Sequence, residues 1–211
     1  MMSVAPGLSQ EQVVSMLDEA RVSFGNWTDW AEFNIYIDPE SSQAIFRNAV
    51  LASKTTLIPL DITHQVLANE EMLNLLRLRP SAISRNPQPP SNLRTLFLEI
   101  LTFFTKTYER EFGMNKGPPL HDPVAVAVAL CPALFDDNEG ERFGVHVVTD
   151  GDDSQLDHTR NMYDVGQCGR TMVRLLKKGE KGVRIPRSLD ILGFWGLIGT
   201  ALDEAEKMAT I

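Results

Sequence analysis

"GPPLHDPVAVAVALCPALF", residues 117–135, places a glycine, two prolines and a leucine ahead of His121 and Asp122, and an apolar run follows at once. Two readings of this stretch are open. In the first, Asp122 caps a helix from about Asp122 to Leu134, accepting from backbone N–H groups while Pro123 takes the first helical position. That reading leaves His121 without a duty. In the second, the pair stands at a helix mouth beyond a strand, where α/β sheets gather their ligands. A carboxylate there can bind a hard cation, and an imidazole can donate a proton near neutral pH.

Working outward, helical and extended patterns alternate. Ser9 and Gln12 fit a capping box, and Val13, Val14, Met16, Leu17 and Ala20 give an apolar helical face. Asp38-Pro39-Glu40 reads as a helix start, with a cap, a proline and an acid in order. "TTLIPLDIT" (55–63) reads as a buried strand and "NEEMLNLLRLR" (69–79) as a helix. The proline-rich "RPSAISRNPQPPSN" (79–92) stops that helix, and "LRTLFLEILTFFTKTYEREF" (93–112) is a long amphipathic one. Strand signals return at "RFGVHVVTDG" (142–151) and "KGVRIP" (181–186), and residues 188–209 close as a helix. Alternation of this kind predicts an α/β fold with a mainly parallel, Rossmann-like sheet covered by helices.

The 211 residues suffice for a substantial core. A net charge of −8 argues against nucleic acid or an anionic membrane as the main partner. No apolar run approaches the roughly 20 residues that span a bilayer, and the start lacks a signal-peptide pattern. Cys131 and Cys168 are too few for a disulfide framework or a four-ligand zinc site, which points to the reducing cytoplasm.

Three further stretches carry candidate chemistry. In "FGNWTDWAEFNIYIDPE" (24–40), Asn26, Glu32 and Asn34 alternate with aromatic and apolar residues. If the segment is extended, Glu32 and Asn34 share a side and Phe33 lies opposite. Carboxylate and amides offer the donors and acceptors that a polyhydroxylated ligand such as a sugar needs. The plain alternative is a strand and loop whose Asn residues serve turns. In "LDITHQ" (60–65), Asp61, Thr63 and His64 fall at a strand end, with His64 read as a core or supporting residue. "TDGDDSQLDH" (149–158) lacks the EF-hand order and reads as a solvated acidic loop.

Together these stretches resemble the inosine/uridine-preferring nucleoside hydrolases. The resemblance lies in "GNWTDWAEFNIYIDPESSQAIF", "TTLIPLDITHQVL", "FFTKTYEREFGMNKGPPLHDPVAVA", "GVHVVTDG" and "FWGLIGTALDEAE", in the family's order from about Gly25 onward. It implies hydrolysis of a ribonucleoside's N-glycosidic bond through an oxocarbenium-like transition state, with a calcium ion holding the ribose 2′- and 3′-hydroxyls and the attacking water. On this chain it makes Asp122 a calcium ligand and His121 the group that protonates the leaving base. Asn26 and Glu32 would hold the sugar's 5′ end and Asn34 its 2′,3′ side, with Phe33 close to the sugar and Tyr108 covering the base. The family usually forms dimers or tetramers, so a homo-oligomer or pairing with an intact homologue is expected.

One departure stands out. Family members open with a strand ending in aspartates of the form D-x-D-x-x-x-D-D, which supply most of the calcium carboxylates and the base that activates water. Before Gly25 the acids here are Glu11, Asp18 and Glu19. The expectation is an N-terminally truncated domain, with a leader helix over 1–24 and the C-terminal part of a nucleoside hydrolase over 25–211. Most calcium ligands would be missing and turnover by this chain alone would be weak or absent. A non-catalytic ribose-binding or interaction module is the alternative. An unrelated hydrolase with a nucleophile is disfavoured, since no G-x-S-x-G elbow occurs.

Overall fold

The computed structural model describes residues 28, 30–77, 89–149 and 167–209. Asn26, the expected leader helix and nearly all of the acidic stretch 149–158 lie outside the described residues. The chain divides into two compact units, one made of residues up to Asp61 with Asp137–Pro186, the other of Ile62–Asp136 with Arg187–Ile211.

In the first unit, helix α1 covers Phe33–Ile37, α2 Pro39–Arg47 and α3 Ala49–Ala52. Asp38 starts α2 as its sequence predicts, accepting from the Ser41 backbone N–H at 2.8 Å and its hydroxyl at 2.7 Å. These two bonds hold the Asp38 carboxyl below its usual range. Strands β2 (Phe143–Val147) and β3 (Thr171–Leu175) pair antiparallel, Val145 opposite Val173. Gln43 of α2 is buried and binds this ribbon through both ends of its amide. Its Nε2 lies 2.7 Å from His146 Nδ1, and its Oε1 accepts from the Val147 N–H at 3.0 Å. Ala52, Phe143, Val145 and Val183 form the core beneath, with Phe46, Leu57 and Ile185 against it. Asp137 is held by Arg142 at 2.9 Å and Arg184 at 3.1 Å.

The second unit is mostly helical. After α4 (Leu60–Thr63) it contains α5 (Glu70–Arg77), α6 (Asn92–Phe112), α7 (His121–Leu130) and α8 (Ile191–Ala209). A short antiparallel pair joins β1 (Phe135–Asp136) to β4 (Ser188–Leu189). Ser91 caps α6 at one end, and Gly113, at a φ of 66°, closes it at the other. Arg94, only 1% exposed, ties three helices together. It donates to Leu76 O of α5 at 2.7 Å, to Glu206 of α8 at 3.0 Å and to Asp203 of α8. Phe194 and Trp195 of α8 are buried edge to face with ring centroids 5.6 Å apart. No helix among the described residues is long and apolar enough to cross a membrane.

Five expectations are corrected. The sheet expected to be mainly parallel and Rossmann-like is not what the described strands form: both ladders are antiparallel, and one isolated parallel bridge joins Thr56 to Arg184. The strand expected over 55–63 is reduced to the isolated bridge at Thr56, because Pro59 has no N–H for a ladder and the chain turns into α4 at Leu60. Glu32 and Asn34 are not on an extended segment, since Glu32 caps α1 and Asn34 lies inside it. Asp122 is not the cap of α7. Leu120 holds that position, and His121 opens the helix because the residues before it are already fixed to a neighbouring segment. The helix also breaks sooner than expected, at Cys131, where Pro132 cannot continue the hydrogen-bond ladder and begins a single tighter turn.

Candidate functional site

The glycine and prolines ahead of His121 are a docking strip. Pro118 O accepts from Ala68 N–H at 3.0 Å, and Leu120 N–H donates to Val66 O at 3.0 Å. Leu67 and Pro119 face each other between these two bonds as an antiparallel bridge. Prolines suit the strip because their fixed φ matches extended backbone and the hydrogen bonds used here need no N–H from them. Gly117 is required at its start. Its φ is 114°, and a Cβ there would stand 2.4 Å from Ala68 O. Val66, Ala68 and Leu120 are buried, so the strip is anchored in the core.

That anchoring sets His121 at the first position of α7 beside the end of α4. Its Nδ1 lies 2.8 Å from Oγ1 of Thr63, itself only 3% exposed. The His64 ring stands 5.6 Å from the His121 ring, centroid to centroid, tilted by 56°. Tyr108, near the end of α6, lies 6.3 Å from the same ring and 5.2 Å from Phe112. Burial, with the Asp122 charge adding to it, pushes the Tyr108 phenol above its ordinary value, so it stays protonated near neutral pH. Asp122 is exposed in the first turn of α7, where the helix dipole favours a negative charge. Val124 and Ala127, fully buried, hold the helix down behind it. Three of the sequence candidates, Tyr108, His121 and Asp122, therefore gather with Thr63 and His64 in the second unit. Such a group can clasp a flat ring and hand a proton to it.

Glu32, Phe33 and Asn34 belong to the first unit. Glu32 Oε2 accepts from the backbone N–H of Asn34 at 3.0 Å and of Ile35 at 3.3 Å, while its Oε1 accepts from Asn34 Nδ2 at 3.1 Å. The carboxylate and amide are thus joined to each other at a helix start, and Phe33 is exposed beside them. Thr63, which sequence reading placed near a strand end without a task, is the residue whose role the structure adds. The signal was present: "LDITHQ" pairs a hydroxyl and an imidazole next to an apolar segment.

The sequence profile of the inosine-uridine preferring nucleoside hydrolases matches residues 9–196, and the chain belongs to this family. It is 32% identical over 183 residues to a uridine nucleosidase of Saccharomyces cerevisiae, covering 86% of this chain and 49% of that protein. It is 30% identical over 204 residues to a probable ribonucleoside hydrolase of Dictyostelium discoideum, covering 95% of this chain and 52% of that one. Among solved structures, a plant nucleoside hydrolase superposes with a TM-score of 0.56 at 20% identity, covering 83% of this chain and 48% of its own. The α/β fold is therefore of the nucleoside hydrolase kind, and the chain spans about half the length of these relatives.

The calcium ion implied by the resemblance can be tested against the donors present. Calcium takes about six to eight oxygens, several of them carboxylate. Asp122 offers one carboxylate, and among the described residues no three His, Cys, Asp or Glu side chains stand together as a metal site. This donor set does not fit a tightly bound calcium ion.

Proposed function

We propose that the chain carries the base-facing half of a ribonucleoside N-glycosidic hydrolase site. The observation that carries this reading is the grouping of His121, Thr63, His64 and Tyr108 in a single unit. In this reading a nucleoside base lies against Tyr108 and the imidazoles. The C–N bond breaks with its electron pair going to the base, and His121 gives that nitrogen a proton. Water adds to the sugar carbon and releases its own proton, leaving ribose. By the family resemblance, Asn26, Glu32, Phe33 and Asn34 are the candidates for binding the sugar, and ribose hydroxyls would compete for the hydrogen bond between Glu32 and Asn34. Asp122 is the carboxylate that the family resemblance offers to a cation, and no step is assigned to the metal.

In this reading turnover by the chain alone is weak or absent, because among the described residues no group of carboxylates stands together to hold calcium and activate water. The mutual pairing of Glu32 with Asn34 supports a second reading, a ribose-binding or interaction module without catalysis. Ribose release from inosine and uridine, measured with and without calcium alongside ligand-dependent melting, separates the two. Slow, His121-dependent ribose release supports the hydrolase reading, and a melting shift without release supports the module. Neither response to either nucleoside would overturn both.

A further inference from the structure

We propose that the outer face of α6 is a self-association surface, on which a second copy of this chain lays its own α6 antiparallel. This 21-residue helix has two apolar faces, and the fold of its unit uses one of them. Arg94, Leu98 and Leu101 are buried and hold the helix down. Leu93, Leu96, Ile100 and Phe103 are exposed, Leu96 by 55% and Phe103 by 67%. At about 3.6 residues per turn these four lie on the side away from the buried three. Their spacing of three, four and three residues is that of a coiled-coil seam, with Phe97 and Phe104 along one flank. Exposed apolar residues scattered singly are ordinary, but a continuous stripe marks a surface that something covers. The inference is separate from the hydrolase reading. Tyr108, which α6 gives to the site, falls by the same spacing on the buried side with Leu98 and Leu101.

The charges beside the stripe choose both the occupant and its direction. Glu99 and Lys106 stand one heptad apart along the other flank, both exposed and neither in an ion pair among the described residues. In an antiparallel pair the residues flanking the seam on one side meet their counterparts on the second helix. When Ile100 of one copy packs on Phe103 of the other, Leu96 falls on Thr107, Phe97 on Phe104, and Glu99 on Lys106. Twofold symmetry makes each of these contacts twice, so one surface is its own complement. In a parallel pair Glu99 would instead face Phe104, covering a carboxylate with a ring that cannot satisfy it. An anionic lipid surface is a poorer occupant, since Glu99 and Glu111 border the stripe and headgroups would repel them. Two helices paired over about three turns cover less than the roughly 800 Å² per partner of a standard interface, so the association expected is micromolar.

Sedimentation velocity over a concentration series reads the association directly. The native chain should pass from monomer to dimer in the micromolar range. Phe103→Lys should weaken the dimer by at least about a hundredfold, since two rings leave the seam and two charges enter it. Glu99→Lys and Lys106→Glu should each weaken it by roughly tenfold, because both ion pairs become repulsions. The double exchange, Glu99→Lys with Lys106→Glu, should return it to within about threefold of the native value. All three positions are exposed, so the variants keep the fold, and circular dichroism melting verifies it. A native chain that stays monomeric throughout the series overturns the proposal, whatever the variants do. A dimer indifferent to Phe103→Lys overturns it too, since another surface would then hold the copies. A double exchange no tighter than the single ones overturns the antiparallel register, because the two charges would not meet. Ribose release plays no part in this test, so its outcome and that of the hydrolase reading are independent.

Discussion

Replacing Gly117 by alanine tests the strip that carries His121 into place. Two penalties are added at once. The φ of 114° is a region that residues with a Cβ avoid, and such backbone strain costs about 1–3 kcal/mol. The new methyl would also meet the Ala68 carbonyl oxygen at 2.4 Å and its carbon at 2.7 Å, so one backbone segment must move. Moving it stretches the Ala68–Pro118 and Leu120–Val66 hydrogen bonds, each of about 1 kcal/mol net. The sum is on the order of 3–5 kcal/mol, which for a chain of this length lowers the melting temperature by roughly 6–20 °C. Gly113→Ala is the matched control. Its φ of 66° is also positive, but nothing lies within 4 Å of the added methyl. That variant should lose only about 1–2 kcal/mol, the ordinary cost of the left-handed region. Melting followed by circular dichroism, with urea titration for the free energies, gives both numbers. Equal losses in the two variants would refute the reasoning, because the close approach to Ala68 would then contribute nothing.

Arg94→Met, which removes the guanidinium and leaves Asp203, Glu206 and Leu76 O without it, should cost about 3–5 kcal/mol in urea titration. A loss under about 1 kcal/mol would show that the three helices hold without it. Burial raises the Asp137 carboxyl, but the hydrogen bonds and charges of Arg142 and Arg184 outweigh it and hold its pKa below the ordinary value. Its contribution to stability is thus present above the unfolded-state pKa and lost as pH falls through the folded one. Asp137→Asn should melt below the native chain at pH 7, and the gap should close on acidification. A gap independent of pH would refute it.

How much of this was legible in the sequence depends on how local the cause is. Helices with caps and periodic faces were readable: Asp38-Pro39 starts α2, and residues 93–112 form nearly all of α6. The strand at 143–147 was also readable from its β-branched alternation. Strand β3 was not, since Thr-Met-Val-Arg-Leu has no bounding turn signal strong enough to set it apart and owes its form to pairing with β2. The segment around Glu32 deceived for a different reason. Its alternation of polar and aromatic residues suits a strand, but the carboxylate reaches two backbone N–H groups and nucleates a short helix instead. At the site, the histidine and the aspartate were visible as a pair. Their partner Thr63 is a long-range neighbour, and only the pairing of 66–68 with 118–120 brings it there.

The same pairing fastens the two ends of everything between Asn69 and Lys116 within a few ångströms of each other. That stretch is an excursion from a fixed gate, and the entropy of closing such an excursion grows only slowly with its length. Lengthening or shortening it would reshape what leans over the histidine without displacing the histidine. A chain built this way can vary the cover over His121 while holding the imidazole itself still.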